Sequence, residues 1–203
     1  MARPSMTEER HRQILEAAAA VIAERGVCDA RISDIATRIG TSPALILYYF
    51  PGKDALLAEA LAYRDQQFFD SVASELTEAD SPSRRLEALI EASSPPDEPL
   101  EQDSEWLLWL DVWTRSRHDD TLAKTRMRMD NLFRAAIEEI VSDGIEKADF
   151  QSVAVKDFAI NLSALIDGLA IQVLLKDPAV DSATMRRLCL GFARTQLGMS
   201  IRV

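Results

Sequence analysis

Apolar residues recur every three or four positions along most of the chain, which is the spacing of an amphipathic α-helix. In the first such stretch one face of the helix is apolar, and it consists of Ile14, Leu15, Ala18, Val21 and Ile22. Nowhere do apolar and polar residues alternate with the β-branched content that is typical of strands. The pattern predicts an all-α protein with about nine helices.

Glycine, serine and proline indicate where the first helices end and begin. Gly26 ends the first stretch, and Gly40 ends a short second helix over about residues 32–39. Ser42 is a favourable N-cap for a third helix, Pro43–Tyr49, whose first position suits proline. Further helices are predicted over about residues 53–76, from residue 82 onwards, around 106–113, and over 120–142, 152–175 and 181–198.

Two short helices joined by Gly40-Thr41-Ser42 and packed on a longer first helix make a helix-turn-helix. The neighbouring residues narrow this interpretation to one family. The segment Ile35-Ala36-x-x-Ile39-Gly40-x-Ser42, continued by Tyr48-Tyr49-Phe50-x-x-Lys53-Asp54-x-Leu56-Leu57, closely resembles the DNA-binding domain of the tetracycline-repressor (TetR) family over about the first 57 residues. We therefore expect a helix-turn-helix DNA-binding domain in residues 1–53 and a helical ligand-binding and dimerisation domain in 54–203.

The resemblance implies a role for individual residues of the first domain. Ser42 caps the third helix and contacts a phosphate, and Lys53 holds a second phosphate. Tyr48 and Tyr49 reach phosphates or base edges, whereas Phe50 is expected in the core. The full set of implied DNA contacts is Arg3, Arg31, Ser33, Thr41, Ser42, Ala44, Leu45, Tyr48, Tyr49 and Lys53.

Three departures from the family pattern bear on the operator. Leu47 stands where the family usually has a tyrosine, and Pro43-Ala44 replaces a commoner Lys-Gly or Arg-Gly pair. Arg31 stands where a serine or threonine normally caps the second helix. With fewer polar donors, the domain is expected to recognise its operator more through DNA shape and thymine methyl groups.

The last two predicted helices are apolar around much of their circumference, which is typical of helices that are covered on two sides. Two such helices predict a self-complementary seam between two subunits, and a dimer supplies the second DNA-binding domain that a palindromic operator needs. A single larger monomeric core is the alternative. The expected dimer contacts are Leu165, Ile166, Leu169, Val173, Leu188 and Phe192.

The segment Trp106-Glu-x-Trp109-x-x-x-Trp113 and the stretch Leu165-Ile166-Asp167-Gly168-Leu169 resemble the C-terminal domain of betaine-regulator-type (BetI-like) family members, over about residues 84–198. This resemblance implies a small-molecule pocket in the helical body. An aromatic stripe at helical spacing more often belongs to a core than to a pocket, and that alternative stays open. Carboxylates such as Asp111 would balance a cationic ligand held on an indole face. The expected lining residues are Phe68, Phe69, Trp109, Trp113, Met129, Phe133, Asn161 and Asp167.

Charge is distributed unevenly along the chain. The net charge is −10, but residues 1–53 hold 7 Lys and Arg against 6 Asp and Glu, a net of +1. Residues 54–203 hold 16 against 27, a net of −11. An acidic body is repelled by DNA, so the first domain is expected to approach it alone.

Several other classes of protein are disfavoured. The two histidines, His11 and His118, lack partners at metal or triad spacing, so neither an enzyme nor a cofactor or metal site is expected. Cys28 and Cys189 are far apart and are expected to be reduced thiols. No signal peptide or membrane span is predicted, and a cytoplasmic protein is expected.

Together with these patterns, the resemblance to the TetR family implies a homodimeric bacterial repressor of a palindromic operator, released by a small-molecule inducer. A ligand-responsive activator with the same DNA-binding domain is one alternative, and a ligand-independent DNA-binding protein is another.

Overall fold

A computed structural model describes residues 6–74, 81–96 and 103–199. Within these ranges the backbone forms α-helices and no strand, which confirms the all-α prediction. The helices are α1 (Met6–Asp29), α2 (Ile32–Arg38), α3 (Pro43–Tyr49), α4 (Lys53–Ser74), α5 (Pro82–Ala92), α6 (Asp103–Arg115), α7 (Asp120–Glu146), α8 (Val155–Leu174) and α9 (Ser182–Leu197).

Helix α1 is interrupted at Gly26, where the sequence predicts its end. Gly26 has φ 77° and ψ 162°, a backbone conformation outside the helical region. Glycine adopts this positive φ without the steric penalty that a Cβ atom imposes. Helical hydrogen bonding then resumes up to Asp29. Counting the two segments of α1 separately gives ten helices in the described part of the chain.

The chain divides into two compact units. The N-terminal unit consists of the residues up to Gln67 together with Ser104–Met127. The C-terminal unit consists of Phe68–Asp103 and Arg128–Val203. Helices α4 and α7 contribute residues to both units. These units are defined by contacts within the chain. The boundary between a DNA-binding domain and a ligand-binding domain after residue 53 stays a prediction.

The core of the N-terminal unit lies where α1, α2 and α3 meet. The five residues of the predicted stripe on α1 are all buried, which confirms that pattern. Ile35 of α2, Ile46 of α3 and Phe50 are buried as well, and Phe50 has no exposed surface. Two ion pairs also join α2 to α1, Arg25 with Asp34 at 2.9 Å and Arg38 with Glu24 at 2.7 Å.

Helix α4 is held to α1 by a polar network in the same unit. The Tyr63 hydroxyl donates to Glu16 Oε1 at 2.9 Å and accepts from Gln67 Nε2 at 2.9 Å. Arg12 pairs with the same Glu16 and with Glu9, both at 2.7 Å. Burial, together with the hydrogen bond to Glu16, raises the pKa of Tyr63. The network fixes the position of α4 relative to the helix-turn-helix.

The core of the C-terminal unit is built from α5, α8, α9 and the second part of α7. Helices α8 and α9 form its most extensive contact, with Phe158 and Phe192 stacked at 5.6 Å between ring centroids. On the second part of α7 the buried apolar residues are Ile137, Ile140 and Val141, whereas Leu132 is 45% exposed.

Helix α7 also extends past its predicted end at residue 142. It continues through Gly144 to Glu146, and the backbone N–H groups of Asp149 and Phe150 then donate to the Gly144 carbonyl at 2.9 and 3.0 Å. The ring of Phe150 packs against Gly144, where a Cβ atom would overlap it. Glycine at position 144 therefore allows the Phe150 ring to approach the helix backbone closely, and it does not end the helix.

Helix α8 is long and apolar enough, by length and composition alone, to cross a membrane, with 20 residues and a mean hydropathy of 1.4. The buried core helix of a globular protein passes the same test. Its buried face packs on α9, where Cys189 is fully buried, and burial raises the pKa of this free thiol to about 11.

Candidate DNA-binding and ligand-binding sites

The turn between α2 and α3 has the geometry that the sequence predicts. Gly40 adopts φ 63°, and the N–H of Thr41 donates to the Ala36 carbonyl at 2.9 Å, which closes the end of α2. Ser42 is the N-cap of α3, because its Oγ accepts from the Leu45 N–H at 3.2 Å, and Pro43 occupies the first turn. These two devices set the direction of α3 relative to α2.

Helix α3 presents a sharply divided surface. Ile46 and the following Phe50 are fully buried, while Leu45 and Tyr49 are half-buried. The exposed side chains are Pro43, Ala44, Leu47 and Tyr48. The sequence places Leu45 at the DNA and does not include Leu47 among the contacts, yet Leu47 is 50% exposed. Its departure from the family pattern was the available signal.

The three consecutive aromatic residues have three different environments. Tyr48 is 82% exposed, Tyr49 is half-buried, and Phe50 lies in the core as expected. Phe50 stacks on His11 of α1 at 4.6 Å between ring centroids, and Tyr48 and Tyr49 meet edge to face at 5.4 Å. His11 Nε2 also lies 3.3 Å from Glu59 Oε2 of α4. Because Phe50 is anchored in the core, the nearby Tyr48 is left at the surface.

The remaining predicted DNA contacts lie around this helix-turn-helix. Arg31 and Ser33 are exposed at the start of α2, and Arg31 stands at its N-cap without a side-chain hydrogen bond to the helix. Thr41 is half-buried, and Lys53 is the first residue of α4. Arg3 lies outside the described residues. Direct contact of any of these residues with DNA stays a prediction.

A cluster of three tryptophans lies in the N-terminal unit. Along α6, the ring of Trp109 lies 6.3 Å from that of Trp106 and 5.0 Å from that of Trp113. The guanidinium carbon of Arg126 is 5.8 Å from the Trp113 ring centroid. The Trp113 Nε1 is buried and has no hydrogen-bond acceptor among the described residues. The cluster thus combines π faces that attract a cation with an unsatisfied donor.

The other predicted ligand-binding residues belong to the C-terminal unit. Phe133 of α7 lies 6.4 Å from Phe68 and 6.5 Å from Phe69, between ring centroids. Met129 and Asp167 are half-buried, while Asn161 is exposed on α8. The side chain of Asp111 is outside the described part of the chain. A shared pocket for these residues and the tryptophans stays a prediction.

The predicted dimer contacts divide into two groups. Ile166, Leu169 and Val173 are buried within the subunit, which leaves little of their surface for a partner. Leu165 and Phe192 are half-buried and Leu188 is 38% exposed.

The described ranges contain no group of three or more His, Cys, Asp or Glu side chains that would hold a metal ion.

Comparison with known proteins identifies both parts of the chain. Residues 14–60 match the profile of the bacterial regulatory proteins of the tetR family, and residues 82–198 match that of the BetI-type transcriptional repressor C-terminal domain. The chain is 30% identical over 200 residues to the HTH-type transcriptional regulator BetI of Cronobacter sakazakii, covering 97% of this chain and 95% of the relative.

Solved structures agree with this assignment. A transcriptional regulator from Saccharomonospora viridis, crystallised in complex with choline, is 34% identical, with a TM-score of 0.80 over 94% of this chain and 98% of that one. A TetR-family regulator from a Rhodococcus species has the same fold, with 24% identity, a TM-score of 0.83, and 94% and 99% of the two chains covered. This chain therefore belongs to the TetR family of bacterial transcriptional regulators, with a C-terminal domain of the BetI type.

Proposed function

We propose that this regulator represses a promoter as a homodimer bound to a palindromic operator, and that a small quaternary ammonium compound such as choline releases it. The cluster of tryptophan rings, with a buried Trp113 N–H that has no acceptor among the described residues, carries the ligand part of this proposal. We infer that the protein acts in the bacterial cytoplasm, where its operator is found.

The chemistry of the tryptophan cluster matches such a ligand. An indole face attracts a quaternary ammonium group through its quadrupole, and the guanidinium of Arg126 already makes this kind of contact with Trp113. The indole N–H of Trp113 is a donor, so it favours a ligand that carries an oxygen acceptor near its cationic end. Choline has both groups, and the S. viridis relative was crystallised with it.

Helix α4 is the element that we propose couples ligand to DNA. It begins at Lys53, a predicted phosphate contact, and continues without a break over 22 residues, or about 33 Å of helix. Tyr63 fixes its first half to α1. A ligand that favours a different position of α4 needs about 1–3 kcal/mol of differential binding energy to release the operator.

The proposal is tested by measuring operator affinity in the presence of choline and of its neutral isostere, 3,3-dimethylbutanol. We expect choline to weaken binding of an operator duplex by about 5- to 150-fold, and the neutral compound to have little effect. Trp113→Ala should lower the affinity for choline by about 2- to 30-fold through the lost cation–π contact. Fluorescence anisotropy of labelled DNA and calorimetry of choline binding supply the two readouts.

The controls separate the ligand from the fold. Trp113→Phe keeps an aromatic ring but removes the N–H, so it should bind the operator normally in the absence of ligand and bind choline more weakly. Equal release by the neutral isostere, or by neither compound, would contradict a cationic inducer. Activation of transcription by the operator-bound protein would instead support the activator alternative.

An exposed face on α8 and α9 supports the dimer. Residues at helical spacing on α8 (161, 164, 168 and 172) and on α9 (188, 191 and 195) are exposed, and several of them are small. Small residues let two helices approach closely, and the same face on a second copy would complete a four-helix interface. Leu188 would be covered there, with Leu165 and Phe192 beside it.

Leu188→Glu is expected to convert the dimer to a monomer. Two carboxylates of like charge would be buried without partners across a symmetric seam, which costs several kcal/mol for each ion. Size-exclusion chromatography with light scattering measures the mass. The matched control is Leu132→Glu on α7, also an exposed leucine, which should leave the mass unchanged. A Leu188→Glu protein that keeps the wild-type mass excludes this face as the seam.

A further inference from the structure

The exposed face of α3 is apolar, although α3 is the helix of a helix-turn-helix that faces DNA. Its exposed side chains, at spacings of one helical turn, are Ala44, Leu47 and Tyr48, preceded by Pro43. Leu47 is 50% exposed, whereas Ile46 and Phe50 are fully buried. The surface that α3 offers to a major groove is therefore made mainly of apolar side chains.

The side chains of α3 exclude the usual polar recognition of bases. Side chains that identify guanine or adenine by paired hydrogen bonds are arginine, lysine, asparagine and glutamine, and the helix Pro-Ala-Leu-Ile-Leu-Tyr-Tyr contains none of them. The Tyr48 hydroxyl has its donor and its acceptor on a single oxygen, whereas a paired contact with a base uses two separate atoms or N–H groups. Polar groups lie instead at the ends of α3, with Ser42 before it and Lys53 after Phe50. They are placed to contact phosphates, which position the helix without identifying a sequence.

The major groove contains one apolar feature that α3 can bind. This feature is the C5-methyl group of thymine, which projects from the groove floor and is the usual partner of an apolar side chain. We propose that Leu47 is a specificity-determining residue that packs on a thymine methyl in each operator half-site. The inference rests on the operator binding proposed above and deepens it, because it states which base chemistry the protein selects.

The experiment begins with operator selection. The full-length protein is used to select duplexes from a random pool, and the selected palindrome identifies the half-site. Each thymine of the half-site is then replaced by deoxyuridine, which removes the methyl group and leaves the hydrogen-bonding edge unchanged. Removal of one buried methyl should weaken binding about 4-fold for each half-site, and so by about 10- to 20-fold in the symmetric duplex.

Variants assign the effect to Leu47. In Leu47→Ala the deoxyuridine penalty at the contacted thymine should disappear, while the salt dependence of binding stays as in the wild type because no phosphate contact changes. Leu132→Ala changes a leucine of α7 that is 45% exposed, and this variant should retain the full penalty. Thermal unfolding of both variants should match the wild type, since neither residue is in the core.

The outcomes separate this inference from the proposed function. A selected palindrome whose deoxyuridine duplexes bind as tightly as the thymine duplexes, or a Leu47→Ala protein that keeps the penalty, overturns the methyl contact and leaves operator binding intact. A pool that yields no palindrome contradicts operator binding itself, and the methyl contact with it.

Discussion

Replacement of Phe50 by alanine is expected to unfold the DNA-binding part of the protein and abolish operator binding. Phe50 is fully buried and stacks on His11 of α1, so its removal opens a cavity in the core of the N-terminal unit. Phenylalanine-to-alanine changes in a core cost about 3–5 kcal/mol, a large share of the stability of a typical domain. Urea unfolding followed by circular dichroism, with a DNA mobility shift, measures both effects.

Tyr48→Ala is the matched control for this change. Tyr48 lies two positions before Phe50, in the last turn of α3, and is 82% exposed, so the free energy of unfolding should change by less than about 0.5 kcal/mol. If Tyr48 contacts the operator, DNA affinity falls without any loss of stability. Wild-type stability in Phe50→Ala, or wild-type operator affinity in Tyr48→Phe and Tyr49→Phe together, would contradict these assignments.

Gly144→Ala is expected to destabilise the C-terminal unit by about 1–3 kcal/mol, the usual cost of overpacking. In an exposed helix the same change is stabilising, because alanine has the higher helix propensity. Here a Cβ atom would overlap the ring of Phe150, which is buried and tied to the Gly144 carbonyl by its own N–H. Chemical denaturation of single and double variants measures the effect.

The double variant shows whether the overlap is the cause. In a Phe150→Ala background the added methyl meets an emptied space, so Gly144→Ala should become neutral or stabilising. An equal cost in both backgrounds would mean that Gly144 matters for another reason. The variant combination therefore tests one contact and not the general stability of α7.

Local signals in the sequence were sufficient for the elements of the helix-turn-helix. Gly40, Ser42 and Pro43 act on the backbone within a few residues of their own positions, and α3 has the bounds that they predict. The stripe that begins at Ile14 is also buried as predicted, because a long run of helical periodicity has only one apolar face to bury. Ser42, as N-cap, belongs to both the fold and the candidate site.

Sequence periodicity was less informative where a helix is apolar on several sides. On α8 the residues Ile166, Leu169 and Val173 were assigned to a partner subunit, but all three are buried within the subunit, where α8 packs on α9. The pattern shows that a face is apolar and does not show which neighbour covers it.

By itself the sequence determined the helical class, the family, the turn at Gly40 and the start of α3 at Ser42 and Pro43, since each depends on residues close together in the chain. Only the tertiary structure decided that Leu47 and not Leu45 is the more exposed leucine of α3, and that Gly144 makes room for Phe150. These features depend on which distant residues fill the space beside a helix. That space is set by the packing of the whole unit, and no local pattern encodes it.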